Sequence, residues 1–295
     1  MSQPGTALIT GASTGIGAVY AEQLARRGHD LILVARSQAR LNSLATRLAE
    51  QTGRRIEVLP ADLAARTDLA RVEQRLREDP SITLLVNNAG IGTHTPLLDS
   101  DVEQMQQMIT LNITALTRLT YAAVPGFVAR GHGAVINISS IVSLQPELLN
   151  GVYGASKAFV TAFSQSLQHE LGDKGVRIQA VLPGATATDF WATGGLPIEH
   201  LDPGIVMSAQ DLVRAALQDF DAGRRVSIPP LHELERYEAL EASRQALAGH
   251  LSNQRLAPRY NTGVASGTSL SRGKPAIGPP QPPPAYSTTT ASPIA

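Results

Sequence analysis

Residues 6–17 read TALITGASTGIG. TALIT (6–10) is a short apolar run of β type, and it ends in a cluster of glycines. Residues 16–27 then show helical spacing and stop at Gly28. A strand that breaks at glycine and restarts as a helix presents free helix N–H groups to a phosphate. Gly11 permits the sharp strand exit, while Gly15 and Gly17 let the backbone approach a pyrophosphate and let the helix pack close to the sheet. Ser13, Thr14 and Ile16 complete the turn as candidate ligand contacts. The spacing is G-x-x-x-G-x-G, not the common G-x-G-x-x-G.

Working outward, the same alternation repeats. Apolar runs at 30–36 (DLILVAR), 55–63, 82–90, 133–140, 176–184 and 225–229 alternate with helical stretches at about 40–51, up to Glu78, 101–129 and 152–172. A further helix starts at Ser208, with Asp211 three residues on as a capping box, and stops at Gly223. A charged helix is expected over 231–256, with Leu234, Leu240, Leu247 and Leu251 as its apolar positions. The strands are near-continuous hydrophobic runs, the pattern of a parallel sheet covered on both faces. The expected fold is therefore α/β: a doubly wound, Rossmann-type parallel sheet of about seven strands in a single domain over 1–258. Residues 259–295 form a tail rich in Pro, Gly, Ser and Thr that cannot bury enough surface to order itself. PPQPPPAY within it has polyproline character.

Composition bounds the function. Basic and acidic side chains balance at 25 each, which argues against nucleic-acid binding or a polybasic membrane anchor. There is no cysteine, so thiolate catalysis and Cys-ligated metals are excluded. The histidines show no metal-ligand spacing. No apolar run suggests a spanning helix, and a cytoplasmic protein without membrane insertion is expected.

The end of the second strand distinguishes the nucleotides. An acidic residue there would bind the 2′-hydroxyl of NAD. This chain has Arg36, whose guanidinium suits a 2′-phosphate, with Ser37 and Ser13 as further hydrogen-bonding groups. NADP(H) is the expected cofactor.

Seven motifs now stand in order: TGASTGIG (10–17), ADL (61–63), NNAG (87–90), LN (111–112), ISS (138–140), YGASK (153–157) and PGATAT (183–188). Over residues 4–228 the chain resembles the short-chain dehydrogenase/reductase family. The resemblance implies that Asp62 and Leu63 meet the adenine, and that Asn88, Ala89 and Gly90 border the adenosine ribose. It implies that Pro183, Gly184 and Thr188 line the nicotinamide. It also implies that Lys157 binds the nicotinamide ribose, that Asn112 holds a relay water, and that the protein is a homodimer or homotetramer.

The chemistry implied is hydride transfer between a nicotinamide and a carbonyl or secondary alcohol, with Asn112, Ser140, Tyr153 and Lys157 as the catalytic set. Tyr153 and Lys157 are four residues apart, about 40° apart on one helix. Only three of the 25 basic side chains are lysines, which points to a need for an ammonium at 157. Such a charge favours the phenolate and is expected to lower the pKa of Tyr153 from about 10. Ser139 competes with Ser140, and the family's spacing of thirteen residues before the tyrosine selects Ser140. Leu144, Leu148, Phe190 and Trp191 are expected to line an apolar substrate pocket under a lid at 185–205, with Gly194–Gly195 as its hinge. Two other readings compete. One is a non-catalytic nucleotide sensor on the same fold, although the tyrosine, lysine and serine are all present. The other is an interaction scaffold that uses the Pro-rich tail.

Overall fold

The computed structural model describes residues 4–260. The expected disordered tail falls, from residue 261 on, outside the described residues. The chain divides into two compact units, 1–234 and 235–295.

The first unit is built on nine strands: β1 (Thr6–Thr10), β2 (Asp30–Ala35), β3 (Ile56–Pro60), β4 (Ile82–Asn87), β5 (Gly133–Ile138), β6 (Val176–Val181), β7 (Thr186–Ala187), β8 (Met207–Ser208) and β9 (Val226–Ser227). Its helices are α1 (Gly15–Arg26), α2 (Gln38–Thr52), α3 (Arg66–Glu78), α4 (Val102–Ile109), α5 (Leu116–Arg130), α6 (Gly151–Glu170), α7 (Phe190–Thr193) and α8 (Ala209–Asp221). Seven strands form one parallel sheet in the order β3-β2-β1-β4-β5-β6-β9. The order reverses between β1 and β4, so a crevice opens beyond the carboxyl ends of these two strands.

Continuous hydrophobicity has a direct cause here. Ala7 and Ile9 of β1 point to one face of the sheet and Leu8 to the other, and all three are fully buried. The first face is covered by α1, α2 and α8, through residues such as Leu24, Leu41, Leu48 and Val213. The second is covered by α3, α5 and α6, through Leu69, Val72, Leu119, Phe127 and Leu167. At about 25 cal/mol per Å² of apolar surface, this two-sided burial is the main stabilising term of the unit.

Four features differ from the sequence reading. The stretch expected as one helix over 101–129 is α4 and α5 joined by a π-helical segment, Thr110–Ala115, that carries Asn112. The Asn112 side chain on this segment bonds the backbone of Ile91 in a neighbouring loop. The lid contains an unforeseen two-stranded parallel ladder, β7 with β8. At α8 the Ser208 hydroxyl accepts from Asp211 N–H at 3.0 Å, but the Asp211 carboxylate accepts from the Ser208 hydroxyl, not from its backbone N–H. Aspartate is one methylene shorter than the glutamate of a full capping box. The charged C-terminal helix is shorter than 231–256: α9 spans Leu234–Ala246, buries none of its residues, and Leu240 is exposed. Its apolar residues do not line up into a strong stripe, so no long amphipathic helix forms.

Candidate active site

The nucleotide end of the crevice is assembled from β1, α1 and the loop after β4. Gly11 has φ +64°, and a Cβ there would lie 2.7 Å from Asn88 Nδ2. A Cβ on Gly17 would lie 2.3 Å from the Gly11 carbonyl oxygen. These two glycines are therefore required first by each other and by Asn88. Gly15, at φ +55°, faces Thr188, whose Cγ2 would be 3.0 Å from an added Cβ. Thr14 precedes α1 in extended conformation and makes no side-chain cap, which leaves the first-turn N–H groups open. The Ile16 side chain is half-buried and packs against the core.

Asn88 is a structural tie. Its Nδ2 donates to the carbonyls of Thr10 (2.9 Å) and Gly11 (3.2 Å), and the N–H groups of Asn88 and Ala89 both donate to Thr10 Oγ1 at 3.0 Å. Gly90 passes close to the catalytic candidates: a Cβ there would meet Asn112 Oδ1 at 3.1 Å and Lys157 Nζ at 3.5 Å. Asp62 accepts from Ala64 N–H through Oδ1, and the Leu63 side chain is buried in the core, so Leu63 can offer a ligand only its backbone.

Arg36 is exposed at the end of β2 and has no ion-pair partner among the described residues. Ser37 caps α2 by accepting from Arg40 N–H at 3.4 Å, and its hydroxyl proton stays available. Ser13 is half-buried. An uncapped helix end, an unpaired guanidinium and hydroxyls beside it fit a dinucleotide that carries an extra phosphate.

The catalytic candidates meet at the carboxyl ends of β4, β5 and β6. Ser140, Tyr153 and Lys157 are each buried, at 7, 6 and 6% exposed. The Ser140 hydroxyl is directed to the Tyr153 phenol and favours its ionised form. It also lies 3.4 Å from the Pro183 carbonyl and 3.3 Å from Val142 N. Ser139 is turned away. Its hydroxyl donates to the Lys157 carbonyl at 2.8 Å and lies 2.7 Å from Thr161 Oγ1. Ser140, not Ser139, therefore faces the tyrosine. Gly184 lies under Pro230, whose Cγ would be 3.3 Å from an added Cβ.

Lys157 Nζ donates to the Ile138 carbonyl at 2.9 Å and sits 5.8 Å from the centre of the Tyr153 ring. The expected lowering of the tyrosine pKa does not occur in the chain by itself. Burial raises it to about 12, and the Ser140 hydroxyl offsets only part of that rise. Burial likewise lowers Lys157 to about 8. Asn112 spends its amide locally: Oδ1 accepts from Ile91 N–H at 3.0 Å, and Nδ2 donates to the Ile91 carbonyl at 2.9 Å and to Ser156 Oγ at 3.0 Å. Its side chain thereby fixes the loop beside Lys157.

Sequence reasoning missed Asn150. Its Oδ1 caps α6 by accepting from the N–H groups of Val152 (2.9 Å) and Tyr153 (3.3 Å), while Nδ2 donates to the Thr95 carbonyl at 2.7 Å. An Asn just before a helix start was the available signal.

The substrate side is partly as expected. The Phe190 ring packs on Tyr153 with centroids 5.7 Å apart, and Trp191 Nε1 donates to the Thr186 carbonyl at 2.9 Å. A small, partly open pocket is lined by Phe190, Trp191, Leu149, Leu196 and the loop Gly92–His94. Leu149 takes the place expected for Leu144 and Leu148, and Leu148 points to solvent. Gly92 is tight here: a Cβ would lie 2.4 Å from Phe190 Cζ and 3.0 Å from Tyr153 Cε2. The Gly194 carbonyl is held by Thr93 (3.4 Å) and His94 (3.1 Å), and Gly195 has φ +84°.

Comparison with known proteins gives a consistent result. The family model for short chain dehydrogenase matches residues 5–195. The chain is 49% identical to a short-chain dehydrogenase from Sphingobium yanoikuyae solved in complex with NADPH, with a TM-score of 0.85 over 87% of this chain and 99% of that one. It is 46% identical to a bulky-bulky ketone specific alcohol dehydrogenase from Comamonas testosteroni, with a TM-score of 0.81 over 88% of this chain and 100% of that one. It is 38% identical over 186 residues to a very-long-chain 3-oxoacyl-CoA reductase from Anas platyrhynchos, which covers 62% of this chain and only 60% of that relative. No helix among the described residues is long and apolar enough to cross a membrane. On its sheet, its glycine turn and its matched residues, the chain belongs to the short-chain dehydrogenase family, and it is an oxidoreductase.

Proposed function

We propose that this oxidoreductase uses NADP(H) to interconvert a hydrophobic ketone or aldehyde and its alcohol, with Ser140, Tyr153, Lys157 and Asn112 as its catalytic set. The observation that carries the reading is the burial of Ser140, Tyr153 and Lys157 together, with the Lys157 ammonium 5.8 Å from the centre of the Tyr153 ring. NADP(H), when bound, supplies the hydride chemistry.

The residues assigned to hold it are the backbone of Gly11 to Gly17 for the phosphates, and Arg36 with Ser37 and Ser13 for the 2′-phosphate. Asp62 and the Leu63 backbone take the adenine, Asn88 to Gly90 and Lys157 the riboses, and Pro183, Gly184 and Thr188 the nicotinamide. The NADPH complex of the 49%-identical structure supports this choice of nucleotide.

A phenol raised to about 12 holds its proton throughout the neutral range, which suits Tyr153 to donate from Oη to a developing alkoxide. Ser140 shares the same oxygen and fixes its place. For oxidation the phenolate must form, and Lys157 is the cation that offsets the cost of burying it. The apolar lining from Leu149, Phe190, Trp191 and Leu196 excludes water and supports a hydrophobic substrate, as does the bulky-ketone specificity of the Comamonas enzyme. A homodimer or homotetramer and a cytoplasmic location extend the reading on the resemblance and the composition alone.

The test compares NADPH and NADH oxidation with benzophenone, acetophenone and acetone, on the wild type and Tyr153→Phe. The expected result is NADPH-selective turnover that prefers the aryl ketones. Tyr153→Phe should lower kcat by roughly 10²- to 10⁴-fold with NADPH affinity unchanged. Full turnover by Tyr153→Phe, or equal use of NADH, overturns the respective assignment.

A further inference from the structure

The stripe that carries Tyr153 and Lys157 continues for one more turn of α6. Thr161 is four residues past Lys157, on the same face, and is buried at 6% exposed. A hydroxyl inside a helix ordinarily donates back to the carbonyl four residues earlier. In this chain Thr52, Thr120, Ser164 and Ser243 all do so. Thr161 does not. The carbonyl four residues before it, that of Lys157, is taken by Ser139 Oγ at 2.8 Å. Thr161 Oγ1 instead turns across to the loop after β5: it donates to Ser143 Oγ at 3.0 Å and, at 2.7 Å, accepts from Ser139 Oγ, whose single proton is shared with the Lys157 carbonyl.

Ser139 and Ser143 bracket Ser140. Ser139 is anchored to the sheet by its N–H, 2.7 Å from the Val181 carbonyl, and Ser143 N–H closes the next turn on the Ser140 carbonyl at 3.1 Å. One helical hydroxyl therefore ties down both sides of the segment that presents Ser140 to Tyr153. We infer that Thr161 is a positioning residue, whose hydroxyl clamps the 139–143 segment to the helix that carries Tyr153 and so holds Ser140 in register with the phenol. This rests on the catalytic roles proposed above for Ser140 and Tyr153. A bridge that only filled a buried polar site would serve stability and leave turnover alone.

The test uses the full chain with NADPH and benzophenone, and in parallel the ¹³Cζ NMR signal of Tyr153 in protein labelled at tyrosine. Thr161→Val keeps the volume and removes the hydroxyl. It should lower kcat about tenfold or more, with the Kd for NADPH unchanged, because a small misplacement of a catalytic group is costly. Thr161→Ser should recover kcat to within about twofold. The Tyr153 signal of Thr161→Val should move toward that of Ser140→Ala, which reports the clamp even where turnover is slow.

In the Ser140→Ala background, Thr161→Val should cost nothing further, because its effect passes through Ser140. Ser143→Ala breaks the same bridge from the loop side and should move the Tyr153 signal in the same direction, which covers the case of a poorly folding Thr161→Val. An unmoved signal and unchanged kcat in Thr161→Val, even with a lowered Tm, or an undiminished extra loss in the Ser140→Ala background, overturns the inference. Wild-type turnover by both Ser140→Ala and Tyr153→Phe would instead sink the underlying functional reading, whatever Thr161 does.

Discussion

Replacing Lys157 by methionine should make the nucleotide-free protein more stable while removing its activity. Lys157 is buried, and burial lowers its pKa from 10.5 to about 8. That difference corresponds to a penalty of roughly 3 kcal/mol for keeping the ammonium in the fold. The substitution also orphans the Ile138 carbonyl, which accepts from Nζ at 2.9 Å. Leaving that acceptor unpaired costs about 1 kcal/mol. The net gain is about 2 kcal/mol, or a rise in Tm of about 4–8 °C for a folded unit of this size.

The sign follows from proton counting. Between about pH 8 and 10.5 the unfolded chain keeps a proton on Lys157 that the folded chain has lost. Wild-type stability therefore rises with pH across that window. The advantage of Lys157→Met should be full below pH 8 and should reverse above about pH 10.5, where the wild type gains about 1 kcal/mol from the Ile138 bond. Urea unfolding of both proteins at pH 7 and pH 10.5, without nucleotide, measures it. A methionine variant that is less stable at pH 7, or an advantage that does not change with pH, would refute the reasoning.

Three further outcomes follow from the geometry. Arg36→Leu should weaken NADPH binding by roughly 10- to 100-fold, the worth of charge-assisted bonds to one phosphate, and leave NADH binding unchanged; calorimetric titration of both nucleotides checks it. Tyr20→Phe should stabilise the protein by about 1 kcal/mol in urea unfolding, because the Tyr20 hydroxyl is fully buried without a hydrogen-bond partner among the described residues. Asn150→Ala should cost about 2 kcal/mol in the same assay, through loss of the α6 cap and of the bond to the Thr95 carbonyl.

The legible parts were those governed by local patterns. Strands β1, β2, β4, β5 and β6 were readable because both faces of each are buried, so their hydrophobic runs carry no alternation to confuse them. Tyr153 and Lys157 were readable as a pair because helical spacing alone sets their common face. The π segment at 110–115 was not, since a helix with one extra residue per turn carries no separate composition. Nor was the pocket lining by Gly92 and Leu149, because loops after different strands meet there only once the sheet has formed.

The sequence by itself determined the doubly wound sheet and the glycine turn, because these depend on periodicity and on neighbours a few positions apart; most candidate site residues came from the ordered motifs that resemble the short-chain dehydrogenases. Tertiary structure alone decided how they act together. It turned Ser140 toward Tyr153 and Ser139 toward Lys157 and Thr161, although the two serines are adjacent and chemically identical. It also reversed the expected charge effect, since burial raises the tyrosine and lowers the lysine. Desolvation depends on what surrounds a group on every side, and those surroundings come from segments distant in the chain.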